Sequence, residues 1–267
     1  MKLKAISRHL VKGLRPESLP EGRLISGRGL EGDRAFAFQF LDDSVPESLR
    51  VAAAAATPWM SKFHLAQQHD WPALAQVQAT FTGDRLRLSC GEESLEASVV
   101  DPSGREKLAI WTHELLSRSA PYERAKHAQL APLRLIGGPD LAQRYTDGTV
   151  GPLSLMTQGT LDDLSGKVGR ALDWRVFRLN LLLDGAPPWE ELHWKGRRIR
   201  MGECELEVLK PIARCANIDV NAETGEREIE LFAQLRPLLG HATVGVRCEV
   251  VRGGIVRPGD GWELMDQ

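Results

Sequence analysis

The chain has 267 residues, of which 42% are hydrophobic and 26% charged, and its formal net charge at pH 7 is -2. This size and composition fit one large globular domain or two tightly packed ones with a substantial core. A net charge so close to zero argues against nucleic-acid binding, so an anion site must be built locally by a few Lys and Arg side chains. No stretch is apolar for long enough to span a membrane. Residues 1–14 are too charged for a secretory signal, which predicts a cytoplasmic protein.

Short strands with alternating apolar residues dominate the first half of the chain. In residues 35–41, Phe36, Phe38 and Phe40 recur at a spacing of two, which places the three rings on one face of a strand. Further elements are predicted as strands at residues 3–11 and 94–100, a hairpin over residues 74–90 that turns at residues 82–84, and a helix over residues 105–116 with Ser103 as N-cap.

The second half also alternates short apolar runs with glycine-bearing turns. Many short strands with few helices favour a barrel-like β architecture over a series of βαβ units. The predicted fold class is therefore mainly β with some α. The predicted elements are helices over residues 157–172 and 226–239, and strands over residues 174–183, 205–209, 218–220 and 243–251.

Three common active-site motifs are present only in part. Residues 27–32 have the spacing GxGxxG, but strand alternation follows where a dinucleotide fold requires a helix. His113 and Glu114 begin like a zinc-binding HExxH helix, but Ser117 stands where the second His must be. Ser154 lacks the following Gly that completes a nucleophile elbow. These three kinds of site are therefore rejected.

The four cysteines, Cys90, Cys204, Cys215 and Cys248, have no clustered spacing. An iron–sulfur cluster needs such clustering, and a reducing cytosol disfavours disulfides. A cysteine without special context is usually a small buried hydrophobe. Cys215 differs because Arg214 precedes it, and a cationic neighbourhood favours the thiolate. The reactive thiol is therefore predicted to be Cys215.

The most informative motifs lie in the second half of the chain. They are Arg-Leu-Asn at residues 178–180, Arg-Cys at residues 214–215 and Glu-Thr-Gly at residues 223–225. Their order resembles the MOSC domain, named for the C-terminal domain of molybdenum-cofactor sulfurases. Val-Lys-Gly at residues 11–13 and Gly-Leu-Glu-Gly-Asp-Arg at residues 29–34 resemble the N-terminal β-barrel domain that accompanies MOSC in the amidoxime-reducing family.

The resemblance also implies a domain organisation. It predicts a MOSC-type β-barrel packed with a smaller N-terminal β-rich subdomain. The corresponding domains are residues 1–130, a MOSC-associated β-barrel-like domain, and residues 131–267, the MOSC domain. Residues 42–130 show no resemblance to the family, so their role is left open.

A molybdenum cofactor site is the main functional implication of the resemblance. A molybdopterin brings its own dithiolene sulfurs, so the protein adds one soft thiolate to the metal, which would be Cys215 as catalytic residue and metal ligand. The anionic phosphate tail calls for cations and backbone N–H groups, and both ends of the chain are expected to supply them to one composite site. Asp33 is expected to orient Arg34. The cofactor-binding residues that the resemblance implies are Lys12, Arg34, Thr157, Thr160, Arg178, Asn180 and Arg214.

Relatives in the amidoxime-reducing family reduce N-hydroxylated compounds with electrons from separate redox proteins. The resemblance therefore implies a molybdoenzyme reductase with a small-molecule substrate and a separate electron-donor protein. The cysteine spacing and the failed dinucleotide motif agree with an external electron source. Ala216 and Asn217 follow Cys215 where many relatives carry a pair of threonines, which leaves the substrate open.

Three other functions remain compatible with the sequence. Cys215 could carry a persulfide for delivery of sulfur to a metallocentre. The protein could instead carry the molybdenum cofactor without turning over a substrate. Pyridoxal phosphate is a third alternative, and it would need a Schiff-base lysine, for which Lys210 and Lys12 are the candidates.

Overall fold

A computed structural model describes residues 1–265 of the chain apart from residues 126 and 128. Strands account for 32% and helices for 24%, which confirms the predicted mainly β class with some α. The strands are β1 (Lys2–Arg8), β2 (Glu17–Ser18), β3 (Gly22–Ile25), β4 (Gly29–Leu30), β5 (Ala37–Phe40), β6 (Gln78–Thr82), β7 (Arg85–Cys90), β8 (Glu93–Ser98), β9 (Leu133–Ile136), β10 (Leu153–Thr157), β11 (Leu181–Asp184), β12 (Arg198–Met201), β13 (Cys204–Ala213), β14 (Thr243–Arg252), β15 (Gly254–Val256) and β16 (Trp262–Leu264). The helices are α1 (Glu47–Val51), α2 (Pro102–Ser117), α3 (Gln158–Val168) and α4 (Leu231–Leu239), with short 3-10 helices at Ala54–Ala56, Lys62–His64, Pro72–Gln76, Trp174–Phe177, Glu190–His193 and Ala216–Asp219.

Eight of these strands form one curled half-barrel sheet in the order β16-β12-β13-β14-β10-β11-β1-β2. β1 pairs antiparallel with β11, with Ile6 opposite Leu181, and β10 runs parallel to β11. Leu3, Leu24 and Leu30 are buried in the same core as the C-terminal strands. The segment up to Leu30 therefore contributes to the large sheet and its core, while the division of the chain after residue 130 stays a prediction.

A second core lies around the three phenylalanines. Phe36, Phe38 and Phe40 are fully buried in one cluster with Leu86 from the hairpin and Leu108 from α2. This confirms that the three rings share one face. The predicted hairpin is also confirmed, because β6 pairs antiparallel with β7 and β7 with β8.

Two predicted strands differ from the structure: residues 218–220 form no strand, and the strand predicted over residues 174–183 begins only at Leu181. Residues 174–183 begin as the 3-10 helix Trp174–Phe177, since the Asp173 side chain accepts a hydrogen bond from the backbone N–H of Arg175. Arg178 ends this helix with a left-handed φ of 53°. Residues 218–220 belong largely to the 3-10 helix Ala216–Asp219 rather than to a strand. In both places a short apolar alternation was too brief to distinguish a strand from a helical turn.

Helix ends also differ from the prediction. The N-cap of α2 is Asp101 rather than Ser103, because Pro102 occupies the first helical turn and the Asp101 side chain accepts from the N–H of Ser103. The last predicted helix begins at Leu231 rather than at residue 226. None of the helices in the described part of the chain has both the length and the apolar character needed to cross a membrane.

The glycine-rich residues 27–32 contain part of the turn between β3 and β4, the strand β4 itself and the start of the next turn. Gly27 and Gly29 have φ angles of 69° and 81°, which glycine adopts without steric cost. β3 pairs antiparallel with β4, and the chain then turns into β5 without forming a helix. The rejection of a dinucleotide-binding loop is therefore confirmed.

Candidate functional site

A cavity of about 390 Å³ is lined by segments from both ends of the chain. Lys12 and Arg34 line it from the N-terminal part, and Arg178, Arg214 and Cys215 from the C-terminal part. The structure therefore brings these five sequence-predicted residues to one place, which is the arrangement that a composite site requires.

Several charged or titratable residues that the sequence analysis did not single out also line the cavity. Lys62, His69 and Asp70 come from the segment without family resemblance, Asp147 from the loop before β10, and Arg247 from β14. Among the described residues the lining contains six Lys and Arg side chains against two Asp, so the cavity favours anions. Only long-range folding brings these residues together, because nothing in the local sequence around them distinguishes them from solvent-exposed positions.

Arg34 and Arg178 share an unusual backbone conformation. Their φ angles are 55° and 53°, in the left-handed region that residues other than glycine rarely adopt. Such strain is concentrated at functional sites in proteins. Arg34 Nη2 donates a hydrogen bond to the carbonyl oxygen of Arg178 at 3.0 Å. The two strained residues therefore hold each other at the cavity wall.

The Arg178 guanidinium is only partly satisfied. Its Nη1 donates to the carbonyl oxygen of Leu14 at 2.9 Å, whereas its buried Nη2 has no hydrogen-bond partner. Burial, together with the nearby charge of Arg34, lowers the pKa of Arg178 to about 9. A buried donor without a partner costs free energy. Its position on a cavity wall makes it suited to bind an anion.

Asp33 orients Arg34 from behind the cavity wall. Its carboxylate accepts from Arg34 Nη1, and Oδ1 accepts from the backbone N–H of His9 at 2.8 Å. Although burial opposes ionisation, the charge of Arg34 keeps the pKa of Asp33 well below its usual range. Burial and the charges of Arg34 and Arg178 lower the pKa of His9 to about 3, so His9 is neutral. The positive charge at this wall therefore comes from the two arginines.

Lys12 forms an ion pair with Asp147 at the cavity. The Lys12 side chain is 5% exposed and its Nζ lies 2.5 Å from Oδ1 of Asp147, whose side chain is half exposed. Burial lowers the pKa of Lys12, and the charge of Asp147 opposes this effect. Burial would raise the pKa of Asp147, but Lys12 and Lys62 outweigh it and keep the carboxyl ionised. Asp147 therefore neutralises part of the cationic lining.

Replacing Asp147 by Asn is expected to strengthen anion binding. The amide has the same shape but no longer competes with an anion for Lys12, so the affinity for inorganic pyrophosphate should rise roughly fivefold, or about 1 kcal/mol. Isothermal titration calorimetry measures this change. Asp140→Asn is the matched control, since Asp140 lies in the same loop and does not line the cavity. Equal or weaker binding by Asp147→Asn would show that this carboxylate does not compete with the anion.

Arg214 has a structural as well as an electrostatic role. Its Nη1 donates to the carbonyl oxygen of Phe177 at 2.7 Å, and its Nε and Nη2 both donate to that of Val244. Burial lowers the pKa of Arg214 to about 9. Three of the five N–H donors of a guanidinium are thus engaged with backbone. Arg214 fastens the residue before Arg178 to β14, and it retains donors for a ligand.

Cys215 is the thiol of this cavity. Its side chain is exposed and its backbone is extended, immediately before the 3-10 helix Ala216–Asp219. Cys204 and Cys248 are buried, which raises the pKa of both thiols. Partial burial also raises the pKa of Cys90, which is not among the lining residues. The accessible thiol therefore coincides with the cationic lining.

Three predicted cofactor contacts do not line the cavity: Asn180, Thr157 and Thr160. Asn180 is buried, and its Oδ1 accepts from the N–H and hydroxyl of Ser154 at 3.1 and 2.9 Å. The hydroxyls of Thr157 and Thr160 donate to Oε2 of the buried Glu191 at 3.0 and 2.8 Å. These three side chains therefore form hydrogen bonds within the protein. The hydrogen bonds fix the strands and α3 that support the site.

Replacing Thr157 by Val is therefore expected to destabilise the fold without weakening anion binding. Thr157 caps α3 by accepting from the N–H of Thr160, and the change removes this bond and one to Glu191. The free energy of unfolding should fall by about 1–2 kcal/mol. Chemical denaturation and pyrophosphate titration measure the two quantities. Thr82→Val, at an exposed hairpin position, is the control and should change neither quantity. A loss of anion affinity in Thr157→Val would show that Thr157 does take part in anion binding.

Comparisons with known proteins give a family match for the C-terminal part of the chain. The model of the MOSC domain matches residues 142–263. Three solved structures are similar to this chain: the YuaD protein from Bacillus subtilis, and YiiM from Geobacillus stearothermophilus and from Escherichia coli. A search of curated proteins gives no match.

The three structural similarities differ mainly in their coverage. YuaD has a TM-score of 0.48 and 12% identity over 98% of this chain and 94% of its own. The Geobacillus YiiM has a TM-score of 0.34 and 16% identity over 43% of this chain and 55% of its own. The Escherichia coli YiiM has a TM-score of 0.34 and 21% identity over 45% of this chain and 57% of its own. The matched region therefore spans little more than half of each YiiM chain.

Five of the lining residues named above, Asp147, Arg178, Arg214, Cys215 and Arg247, lie within the matched region. Lys12, Arg34 and the wall at residues 62–70 lie outside it. Residues 142–263 are therefore the part of the chain that is similar to the MOSC domain family.

Proposed function

We propose that this protein is a molybdenum-cofactor-dependent oxidoreductase that reduces N-hydroxylated compounds with electrons from a separate redox protein. The observation that carries the proposal is the coincidence of one exposed thiol, Cys215, with a cationic cavity. The MOSC domain supports the cofactor class, because this family binds molybdenum cofactor. The substrate class and the redox partner rest on the resemblance to the amidoxime-reducing family.

The residues at the cavity fit the chemistry of this cofactor. The described residues hold no group of three or more His, Cys, Asp or Glu side chains that could bind a bare metal ion. A molybdopterin needs no such group, since its own sulfurs bind the metal and Cys215 would add one protein thiolate. Its phosphate requires buried cations, and the unpartnered Nη2 of Arg178 offers one such donor.

The thiol and the cationic side chains of the cavity have different tasks in this proposal. Cys215 would be the protein ligand to molybdenum. Lys12, Arg34 and Arg178 would hold the phosphate and pterin, while Arg214 fixes the backbone around them. When bound, the cofactor supplies two-electron transfer to the substrate. The overall reaction converts an N–OH group to N–H with two electrons and two protons and releases one water.

The electrons must reach the cavity from outside the chain. The four cysteines have no spacing that would hold an iron–sulfur cluster, and residues 27–32 are not followed by the helix that a dinucleotide loop requires. A separate electron-donor protein is therefore part of the proposal. We expect no reduction of a hydroxylamine by the purified chain with NADH alone.

Metal analysis and turnover test the proposal together. The full chain, produced in cells that make molybdenum cofactor, is expected to contain stoichiometric molybdenum. It should reduce an aryl amidoxime when a reduced viologen dye donates the electrons. Protein from cells that lack the cofactor is the matched control. A chain without molybdenum would contradict the proposal.

The other functions predict different outcomes of the same experiment. Molybdenum without turnover would indicate a cofactor carrier. A persulfide on Cys215, detected by mass spectrometry in metal-free protein, would indicate a sulfur carrier. Pyridoxal phosphate is disfavoured as a ligand, because Lys12 is buried in an ion pair with Asp147 and Lys210 is exposed outside the cavity lining. A borohydride-sensitive aldimine absorbance would reverse that conclusion.

A further inference from the structure

Arg227 joins the Cys215 turn, which we define as residues 215–219, to another wall of the cavity. Its Nη1 donates to the carbonyl oxygen of Ala216 at 2.8 Å, and its Nη2 donates to that of His69 at 3.0 Å. His69 lines the cavity, and Ala216 directly follows the lining thiol. One guanidinium therefore bridges two walls that are far apart in the sequence.

Further contacts hold the Arg227 guanidinium in place. Its Cζ lies 3.7 Å from the centroid of the Tyr122 ring, and its Nη1 lies 3.5 Å from Oδ2 of Asp219. The Arg227 side chain is 17% exposed and that of Asp219 is 8% exposed. Asp219 Oδ1 accepts from the N–H of Phe232 at the start of α4. The planar guanidinium thus links the Cys215 turn, α4 and the N-terminal part of the chain in a fixed geometry.

The other side of the Cys215 turn has its own anchor. The backbone N–H of Arg214 donates to the carbonyl oxygen of Ala242 at 2.8 Å, and its side chain donates to the Val244 carbonyl oxygen. Within the turn, the N–H of Ile218 donates to the carbonyl oxygen of Cys215 at 3.2 Å. The thiol therefore lies between an anchor on β14 and the anchor that Arg227 makes to His69.

We propose that Arg227 is a positioning residue, which fixes the Cys215 turn against His69 and so sets the place of the Cys215 thiol in the cavity. Arg227 is not among the lining residues, so it acts through the turn rather than on a ligand. The use of the thiol as a metal ligand rests on the proposed function. Its placement does not, because the position of the turn is measurable without cofactor.

The test uses the accessible thiol as its reporter. In the full chain with Cys90→Ser, the remaining cysteines besides Cys215 are Cys204 and Cys248, and both are buried. Alkylation by iodoacetamide, followed by mass spectrometry, then reports the accessibility of Cys215. The reagent is neutral, and rates are compared on the high-pH plateau, where the thiol is fully ionised in every variant. A change of charge at a nearby residue then alters neither the approach of the reagent nor the fraction of thiolate.

We expect Arg227→Met to accelerate alkylation of Cys215 by at least about fivefold, because the turn loses two charge-assisted hydrogen bonds to backbone. Backbone hydrogen exchange in residues 215–219 should rise by a similar factor, since exchange of these amide groups requires local opening of the turn. Arg227→Lys keeps the charge but not the two-pronged geometry, so it should restore part of the wild-type behaviour.

Arg134→Met is the matched structural control. Arg134 is also partly buried and donates to backbone carbonyl oxygens, those of Leu49 and Ala52, but it does not line the cavity. This variant should lower the melting temperature without changing the alkylation rate of Cys215. An equal acceleration in Arg134→Met would mean that general destabilisation explains the effect, and the positioning role would be rejected.

Wild-type alkylation and exchange in Arg227→Met would also overturn the proposal. Molybdenum content, measured on the same variants from cofactor-producing cells, is expected to fall in Arg227→Met and not in Arg134→Met. If the wild-type chain binds no molybdenum, the proposed function fails. The alkylation and exchange rates of the metal-free protein still decide whether Arg227 positions the thiol.

Discussion

Replacing Cys215 by Ser is expected to abolish molybdenum-dependent reductase activity while leaving the fold intact. The side chain is exposed, and Ser is nearly the same size, so packing changes little. The hydroxyl is a harder and far less acidic ligand than a thiol, so it replaces the thiolate poorly on molybdenum. We expect activity to fall roughly 100-fold or more, since loss of a ligand costs at least as much as loss of a residue that supports one.

The other three cysteines provide the controls for this change. Cys204 and Cys248 are buried and Cys90 is partly buried, so their replacement by Ser affects packing rather than the cavity. Each of these three replacements should lower the free energy of unfolding by at most on the order of 1–2 kcal/mol. Molybdenum content and amidoxime reduction are measured across the four single variants. Full activity of Cys215→Ser, or a specific loss in one of the other three, would mean that the wrong cysteine was assigned.

The cationic lining shows what local sequence can predict. Lys12, Arg34, Arg178 and Arg214 each lie in a short motif that is recognisable without coordinates, and all four line the cavity with Cys215. Their convergence was inferred from the resemblance of both ends of the chain to one family. The sequence of a motif constrains its own backbone, as in the left-handed conformations of Arg34 and Arg178.

Thr157 and Thr160 show where that inference ends. The family resemblance placed Thr157 and Thr160 in a cofactor-contacting turn, but Glu191, 31 residues beyond Thr160, accepts hydrogen bonds from both hydroxyls. Glu191 lies in a segment without a recognisable sequence pattern, so nothing in the sequence indicates that it will be buried next to the two threonines. The packing of α3 on the sheet decides which residue becomes this partner. The spacing of residues along the sequence gives no information about that packing.

The wall at residues 62–70 was not predicted for a related reason. Its elements are short 3-10 helices and extended segments, whose apolar pattern is too brief to predict a structure. Their position depends on long-range contacts such as the Arg227 bond to His69, which spans 158 residues. Asp147 likewise meets Lys12 across 135 residues. The residues that modulate the site are therefore harder to predict than those that define it.

Replacing Arg178 by Met is expected to weaken anion binding and to stabilise the protein. Loss of one buried, hydrogen-bonded charge from an anion site costs about 2 kcal/mol or more, which corresponds to at least roughly 30-fold in the affinity for inorganic pyrophosphate. Molybdenum content from cofactor-producing cells should fall in parallel. Arg85→Met, which removes a positive charge from an exposed hairpin position, is the matched control for net charge.

The stabilisation follows from the surroundings of the Arg178 side chain. Burial and the charge of Arg34 both disfavour its charged form, and its Nη2 has no partner. Met removes these costs and retains an apolar stem. The carbonyl oxygen of Leu14 loses the Arg178 bond but still accepts from Nε2 of Gln68 at 3.3 Å. The free energy of unfolding should therefore rise by on the order of 1 kcal/mol, as when other buried charges are replaced by apolar residues.

Opposite changes in affinity and stability distinguish a binding residue from a structural one. A structural arginine would lower the free energy of unfolding when replaced, as expected for Arg134. A binding residue keeps an unsatisfied buried donor because the anion completes it, so the ligand-free protein gains stability when the donor is removed. Chemical denaturation of the ligand-free variants and pyrophosphate titration give both quantities. If Arg178→Met is less stable than the wild type and binds pyrophosphate equally well, Arg178 serves the fold and the anion site must be built by Lys12, Arg34 and Arg247.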